Sequence, residues 1–136
     1  FSRARVRHTV LPMLERELGP GVAEALARTA DLARADADAL AELADEVAHD
    51  VMSSAVEPGA LDVEALAALS DALRSRVVRL WLLERGCPAG SLGAEHVGRV
   101  TALVTAWKGQ GAVALPGGVE VARERGMLRV RPTPPR

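Results

Sequence analysis

One stretch constrains this chain more than any other. Between the Gly19-Pro20-Gly21 turn and Pro58 no glycine or proline interrupts the sequence, and alanine recurs throughout. Leu26, Ala30, Ala33, Ala37, Leu40, Ala44, Val47 and Val51 follow alternating steps of four and three, the spacing of a narrow helical seam. A single helix is predicted from this turn, with Pro20 near its first turn, to about Ser53. Small seam residues let a partner helix approach within the usual ~8–10 Å. Asp31, Asp36, Asp38, Glu42, Asp45, Glu46 and Asp50 mostly lie off the seam, so the helix reads as an acidic strut.

The flanks break more often. Val6, Val10, Leu11, Leu14 and Leu18 form an apolar stripe that predicts a first helix from Ser2 to Leu18, with Arg3 and Arg7 on another face. Pro12 inside that pattern predicts a kink, or a break with immediate restart. Downstream, Glu57-Pro58-Gly59 reads as a loop, Asp62 as the cap of a short helix over 63–68, and Ser70 as the cap of a helix over 71–85. On that helix Leu73, Val77, Leu80, Trp81 and Leu83 form the apolar side, and Arg74, Arg76, Arg79 and Arg85 spread over the rest. After the breaker cluster 86–91, a helix over 94–107 buries Val97, Val100, Leu103 and Val104. Beyond Gly109-Gln110-Gly111 the period changes to two. Val113 and Leu115, then Val119 and Val121, then 127–131 read as three strands, turned by Pro116-Gly117-Gly118 and Glu124-Arg125-Gly126. Pro132 to Arg136 reads as a tail. The expected fold is mainly α: a helical bundle with one long Ala-rich helix over residues 1–110, and a small antiparallel β meander over 111–136 packing on it.

Composition agrees. Apolar residues make up 49% of the 136 residues, but only Phe1, Trp81 and Trp107 are aromatic. Ala has the best helix propensity and almost no side-chain entropy to lose. Cys87 is the lone cysteine, which excludes an internal disulfide and fits a cytoplasmic protein. No apolar run reaches the ~18 residues that suggest a membrane span, and no signal-peptide core follows the N-terminal arginines. The chain opens with Phe1, inside a predicted helix, as a fragment of a longer protein would.

A net charge of −1 hides an asymmetry. Residues 1–18 carry four arginines against two acids, 19–57 two against nine, 58–110 six basic residues against five acids, and 111–136 five arginines against two glutamates. The ends are basic and the middle is acidic, so a polyanionic partner would meet the ends. The ordinary alternative is that these charges are solvated faces.

Catalytic constellations are missing. His8, His49 and His96 are scattered, no Cys or His pair has zinc-ligand spacing, and Cys87 has no neighbouring cation to activate it. The Gly-rich turns lack the strand-to-helix context of a phosphate loop. What remains is basic: Arg3, Arg5, Arg7 and His8 at one end, and Arg123, Arg125, Arg129 and Arg131 at the other. The guanidinium fork matches phosphate. Trp107-Lys108 suits stacking on a base and reaching a phosphate, although such a tryptophan more often packs under its loop.

These residues also resemble a family. The run from Arg3 to Leu14, Arg-Ala-Arg-Val-Arg-His-Thr-Val-Leu-Pro-Met-Leu, is similar to the segment that follows the catalytic domain in tRNA(Ile)-lysidine synthases. Gly19 to Ala30 looks like the actinobacterial branch, and Ala112 to Val130, with Leu115-Pro116-Gly117-Gly118 and Arg123-x-x-Gly-x-Leu128, like the family's C-terminal strands. Position 4 is Ala where the family usually has Asn, and the family's Ser-Gly-Gly-x-Asp-Ser phosphate loop is absent from this chain.

The resemblance implies a tRNA-positioning domain, inactive alone. The N-terminal catalytic domain of the same protein would bind ATP and magnesium, adenylate the wobble cytidine of tRNA(Ile) with a CAU anticodon, and let lysine displace AMP to leave lysidine. No cofactor is expected in this chain. Arg3 and Arg7 match the family's arginines and are expected to touch RNA. Salt bridges to the acidic helix or to the catalytic domain are their alternative. Arg5, Lys108, Arg123 and Arg125 are expected RNA contacts on charge alone. A helical interaction or dimerisation module, a homodimer built on the Ala-rich seam, is the rival reading.

Overall fold

The structure is a computed structural model and describes residues 1–135; Arg136, the end of the expected tail, lies outside the described residues. Elements run α1 (Ser2–Arg5), a π turn (Val6–Val10), α2 (Leu11–Leu18), α3 (Val22–Ser53), β1 (Leu61–Asp62), α4 (Val63–Ala67), α5 (Asp71–Glu84), α6 (Ala94–Thr105), β2 (Val113–Leu115), β3 (Val119–Glu124) and β4 (Met127–Pro132). The chain is mainly α with a C-terminal antiparallel meander, as the sequence predicts. It divides into two compact units, Phe1–Ala39 and Leu40–Arg136.

In the first unit the expected kink at Pro12 takes another form. The helix widens into a π turn over Val6–Val10, in which the Leu11 N–H reaches the Val6 carbonyl five residues back. Pro12 has no N–H to offer the His8 carbonyl and its ring crowds that oxygen, so a wider turn just before it is the local remedy. Gly19 (φ +92°) and Gly21 (φ +101°) then take left-handed conformations that stop α2. Glu15 joins the two helices: its carboxylate accepts the Gly21 and Ala23 N–H groups, each at 2.8 Å. It thereby satisfies donors at the N-terminus of α3, which otherwise have no partner inside the helix.

The second unit has one core. Leu61, Leu66, Val77, Val78, Trp81, Leu82, Val100, Leu103, Val121 and Leu128 are fully buried within it, and Ala48 joins from α3 with Val47, Val51 and Met52 against its edge. Upstream of Leu40 the seam residues Leu26, Ala30, Ala33 and Ala37 are exposed, so the regular pattern spans a buried stretch and an open one.

The meander pairs β2 with β3 and β3 with β4, at the expected turns. Arg125 (φ +50°) and Gly126 (φ +74°) close the second hairpin, the mirror-image two-residue turn that matches strand twist. A fourth strand escaped the sequence reading: β1 pairs with β4 through Leu61–Leu128 and Asp62–Met127, giving the order β1-β4-β3-β2. Asp62 also caps α4, accepting from the Glu64 N–H at 2.7 Å and the Ala65 N–H at 3.0 Å. Ser70 sits at the N-cap of α5, but its side chain makes no capping bond. The expected cap there is a backbone one, with the Arg74 N–H donating to the Ser70 carbonyl at 2.8 Å.

Arg74 departs furthest from its expected place. It is buried, and its guanidinium donates to the carbonyls of Leu66 (2.9 Å), Ala67 (3.3 Å) and Leu69 (2.5 Å) and to Asp71 (2.7 Å). It ties the last carbonyls of α4 to the start of α5, where a cation suits the helix C-terminus. Among the described residues no helix is long and apolar enough to cross a membrane.

Candidate nucleic-acid interface

Each unit carries basic side chains. In the first, Arg3, Arg5 and Arg7 are all exposed, and none forms an ion pair among the described residues. Arg3 and Arg7 border one open concavity with Ser2, Ala4, Val6, His8 and Leu11, whereas Arg5 is not among its lining residues. Arg7 and His8 lie inside the π turn. Among the described residues of the first unit, α3 pairs Arg34 with Asp31. Three unpaired cations within five residues are available to an external anion.

In the second unit the four C-terminal arginines separate into two kinds. Arg129 is held by Glu57 at 2.6 Å and Glu124 at 3.6 Å, and Arg131 by Glu120 at 2.7 Å and Glu124 at 2.8 Å. The hydrogen bond from Arg129 holds the Glu57 carboxyl below its ordinary range, and donating to Glu57 and Glu120 raises Arg129 and Arg131 above theirs. These two arginines are committed to the sheet. Sequence distance hid this, because Glu57 and Arg129 meet only through the pairing of β1 with β4.

Arg123 and Arg125 behave differently. They line one open groove of about 520 Å³ with Asp62, Val63, Glu64, Ala67, Val104, Gly126 and Met127. Arg123 donates to the Leu103 carbonyl at 2.8 Å and lays its guanidinium over the Trp107 ring, 5.0 Å from the centroid. Trp107 is 38% exposed, so it is not the loop-packing residue that sequence favours. Lys108 beside it is exposed, and its N–H donates to the Gln110 side chain at 2.6 Å.

The domain carrying this groove has a known counterpart. The family model of the TilS substrate binding domain matches residues 61–129, from β1 into β4. This chain belongs to the TilS substrate binding domain family. It is 51% identical to the tRNA(Ile)-lysidine synthase of Thermobifida fusca over 130 residues, 96% of this chain and 39% of that protein. It is 47% identical to that of Streptomyces coelicolor over 96% of this chain and 36% of that protein, and 49% identical to that of Salinispora arenicola over 99% and 40%. The chain thus spans about two fifths of the length of these relatives.

The matched stretch contains Lys108, Arg123 and Arg125, while Arg3, Arg5 and Arg7 precede it. Neither Gly-rich turn has the strand-to-helix form of a phosphate loop. The 109–111 turn leads into β2, and 116–118 joins β2 to β3, so neither presents helix N–H groups as a phosphate loop does. Among the described residues no group of three or more His, Cys, Asp or Glu is placed to hold a metal ion.

Proposed function

We propose that this chain is the substrate-binding part of a tRNA(Ile)-lysidine synthase, and that it holds tRNA(Ile) with a CAU anticodon for a catalytic domain of the same cytoplasmic protein. That domain would bind ATP and magnesium and install lysine on the wobble cytidine. The residues here would supply position and no covalent step. The observation that carries the reading is the trio Arg3, Arg5 and Arg7, exposed and without an ion pair among the described residues. Arginine forks grip phosphates and fix orientation, and base identity is read elsewhere. Lys108, Arg123 and Arg125 offer a second set of cations in the groove of the second unit. Exposed Val6, Met13, Leu18, Leu26 and Leu32 are the apolar side chains on which the catalytic domain, or a second copy in a homodimer, would pack.

Titrating this chain with tRNA(Ile)-CAU over a salt series tests the reading. An unrelated tRNA and the R3A/R7A variant serve as controls. For every phosphate that an arginine no longer neutralises, the log–log salt slope should flatten by roughly 0.7–0.9. Salt-sensitive binding that weakens in the variant supports the assignment, and absence of binding at low salt withdraws it. Sedimentation across concentrations separates a dimer from a monomer.

A further inference from the structure

We propose that Trp107 is a stacking platform for an unpaired base of RNA, with Lys108 and Arg125 holding the neighbouring phosphates. This rests on the RNA-binding reading above and assigns it a specific contact. The chain has two tryptophans, and their environments differ. Trp81 is fully buried, and its indole N–H donates to the Gly59 carbonyl at 3.0 Å. Trp107, just past the end of α6, keeps 38% of its surface open. An indole so exposed forgoes burial that core aromatics gain.

The ring is not loose. The Arg123 guanidinium lies over it at 5.0 Å and is pinned in turn to the Leu103 carbonyl at 2.8 Å. A flat aromatic held beside a fixed cation is the arrangement on which single-stranded bases stack, whatever their identity. Two exposed cations are linked to this pair. Lys108 follows Trp107 directly and is exposed, and Arg125 shares a groove with Arg123. Neither Lys108 nor Arg125 forms an ion pair among the described residues, in contrast to Arg129 and Arg131. Bases inside a duplex are already stacked on one another, so the ligand class is a loop, bulge or free end.

Fluorescence tests this directly, because Trp81 is buried and Trp107 is open. The chain, W107A and W107F would be titrated with a single-stranded dodecamer oligoribonucleotide, the matching RNA duplex and tRNA(Ile)-CAU, with emission and anisotropy read together. The expected result is that single-stranded RNA and tRNA quench the exposed component. W107A should weaken both by about 5- to 150-fold with the salt slope unchanged, as removing a stack while keeping every phosphate neutralised requires. W107F, which keeps a ring, should lie between, and K108A/R125A should flatten the slope. Far-ultraviolet circular dichroism and the emission of Trp81 report whether each variant is folded. RNA binding with W107A affinity unchanged overturns the platform and leaves the arginine reading standing. Binding of no RNA overturns both.

Discussion

Replacing Arg74 should damage the second unit more than replacing any other arginine. Three backbone carbonyls, those of Leu66, Ala67 and Leu69, accept from its guanidinium. The bond to Leu66 is buried and the other two are partly so. A buried acceptor left without a partner costs about 1–3 kcal/mol, and a half-solvated one about 0.5–1 each, so R74M should lose about 2–5 kcal/mol. In a domain of this size that lowers the melting temperature by roughly 10–25 °C. Methionine retains a long apolar stem, so the loss reports hydrogen bonds more than packing. R74K, with one point charge in place of a fork, should recover only part of it. D71A should change little, since the Asp71 side chain is 97% exposed. Thermal and urea unfolding followed by circular dichroism and Trp81 emission would measure all three. R74M within about 0.5 kcal/mol of the parent, or D71A as damaging as R74M, would refute the reasoning.

Other perturbations have equally definite outcomes. Glu57 titrates below its ordinary value because Arg129 donates to it, so the pair's contribution is present above that ordinary value and fades as pH falls through the lowered one. E57Q should flatten the acid limb of a stability–pH curve, modestly and less so in high salt, and an unchanged limb would dismiss the pair. Burial raises the Cys87 thiol, so a thiol reagent should label the native protein far more slowly than the urea-unfolded chain; equal rates would contradict the packing. Gly98 in the middle of α6 has nothing within 4 Å of an added Cβ, so G98A should raise stability by about 0.5–1 kcal/mol. At Gly117 a Cβ would meet Pro88 at 3.0 Å with φ at +92°. G117A should therefore destabilise by about 1–2 kcal/mol from the backbone strain alone. Urea midpoints of the two alanine variants should move in opposite directions.

How much of this was legible in the sequence depended on how local the deciding interaction is. The uninterrupted helix to Ser53, the Asp62 cap and the two glycine turns of the meander are written in adjacent residues, and they stand where the pattern puts them. β1 is two residues long, too short to show a period, and its partner is far along the chain, Leu61 against Leu128. Arg74 could not be told from Arg76, Arg79 and Arg85, because helical spacing does not reveal that another helix ends beside it. Charge counting grouped four C-terminal arginines, but strand register gives Arg129 and Arg131 to glutamates and leaves Arg123 and Arg125 along a groove. The seam pattern cannot distinguish a covered stretch from an open one, since exposed Leu26 and buried Ala44 satisfy the same helical spacing.

The π turn at Val6–Val10 acts as a frameshift in the helix. The wide turn takes one extra residue to complete, so every later side chain sits about 100° behind its place in an unbroken α-helix of the same sequence. Arg3 therefore precedes the phase change and the α2 stripe follows it. Deleting a single residue from the turn would restore a regular helix and keep the two faces as they are, whereas straightening the full-length segment into an α-helix would swing the arginine face about a quarter of a turn from the face that carries Leu11 and Leu14. A change of helix type there would thus re-aim the arginines while leaving composition, charge and fold class untouched.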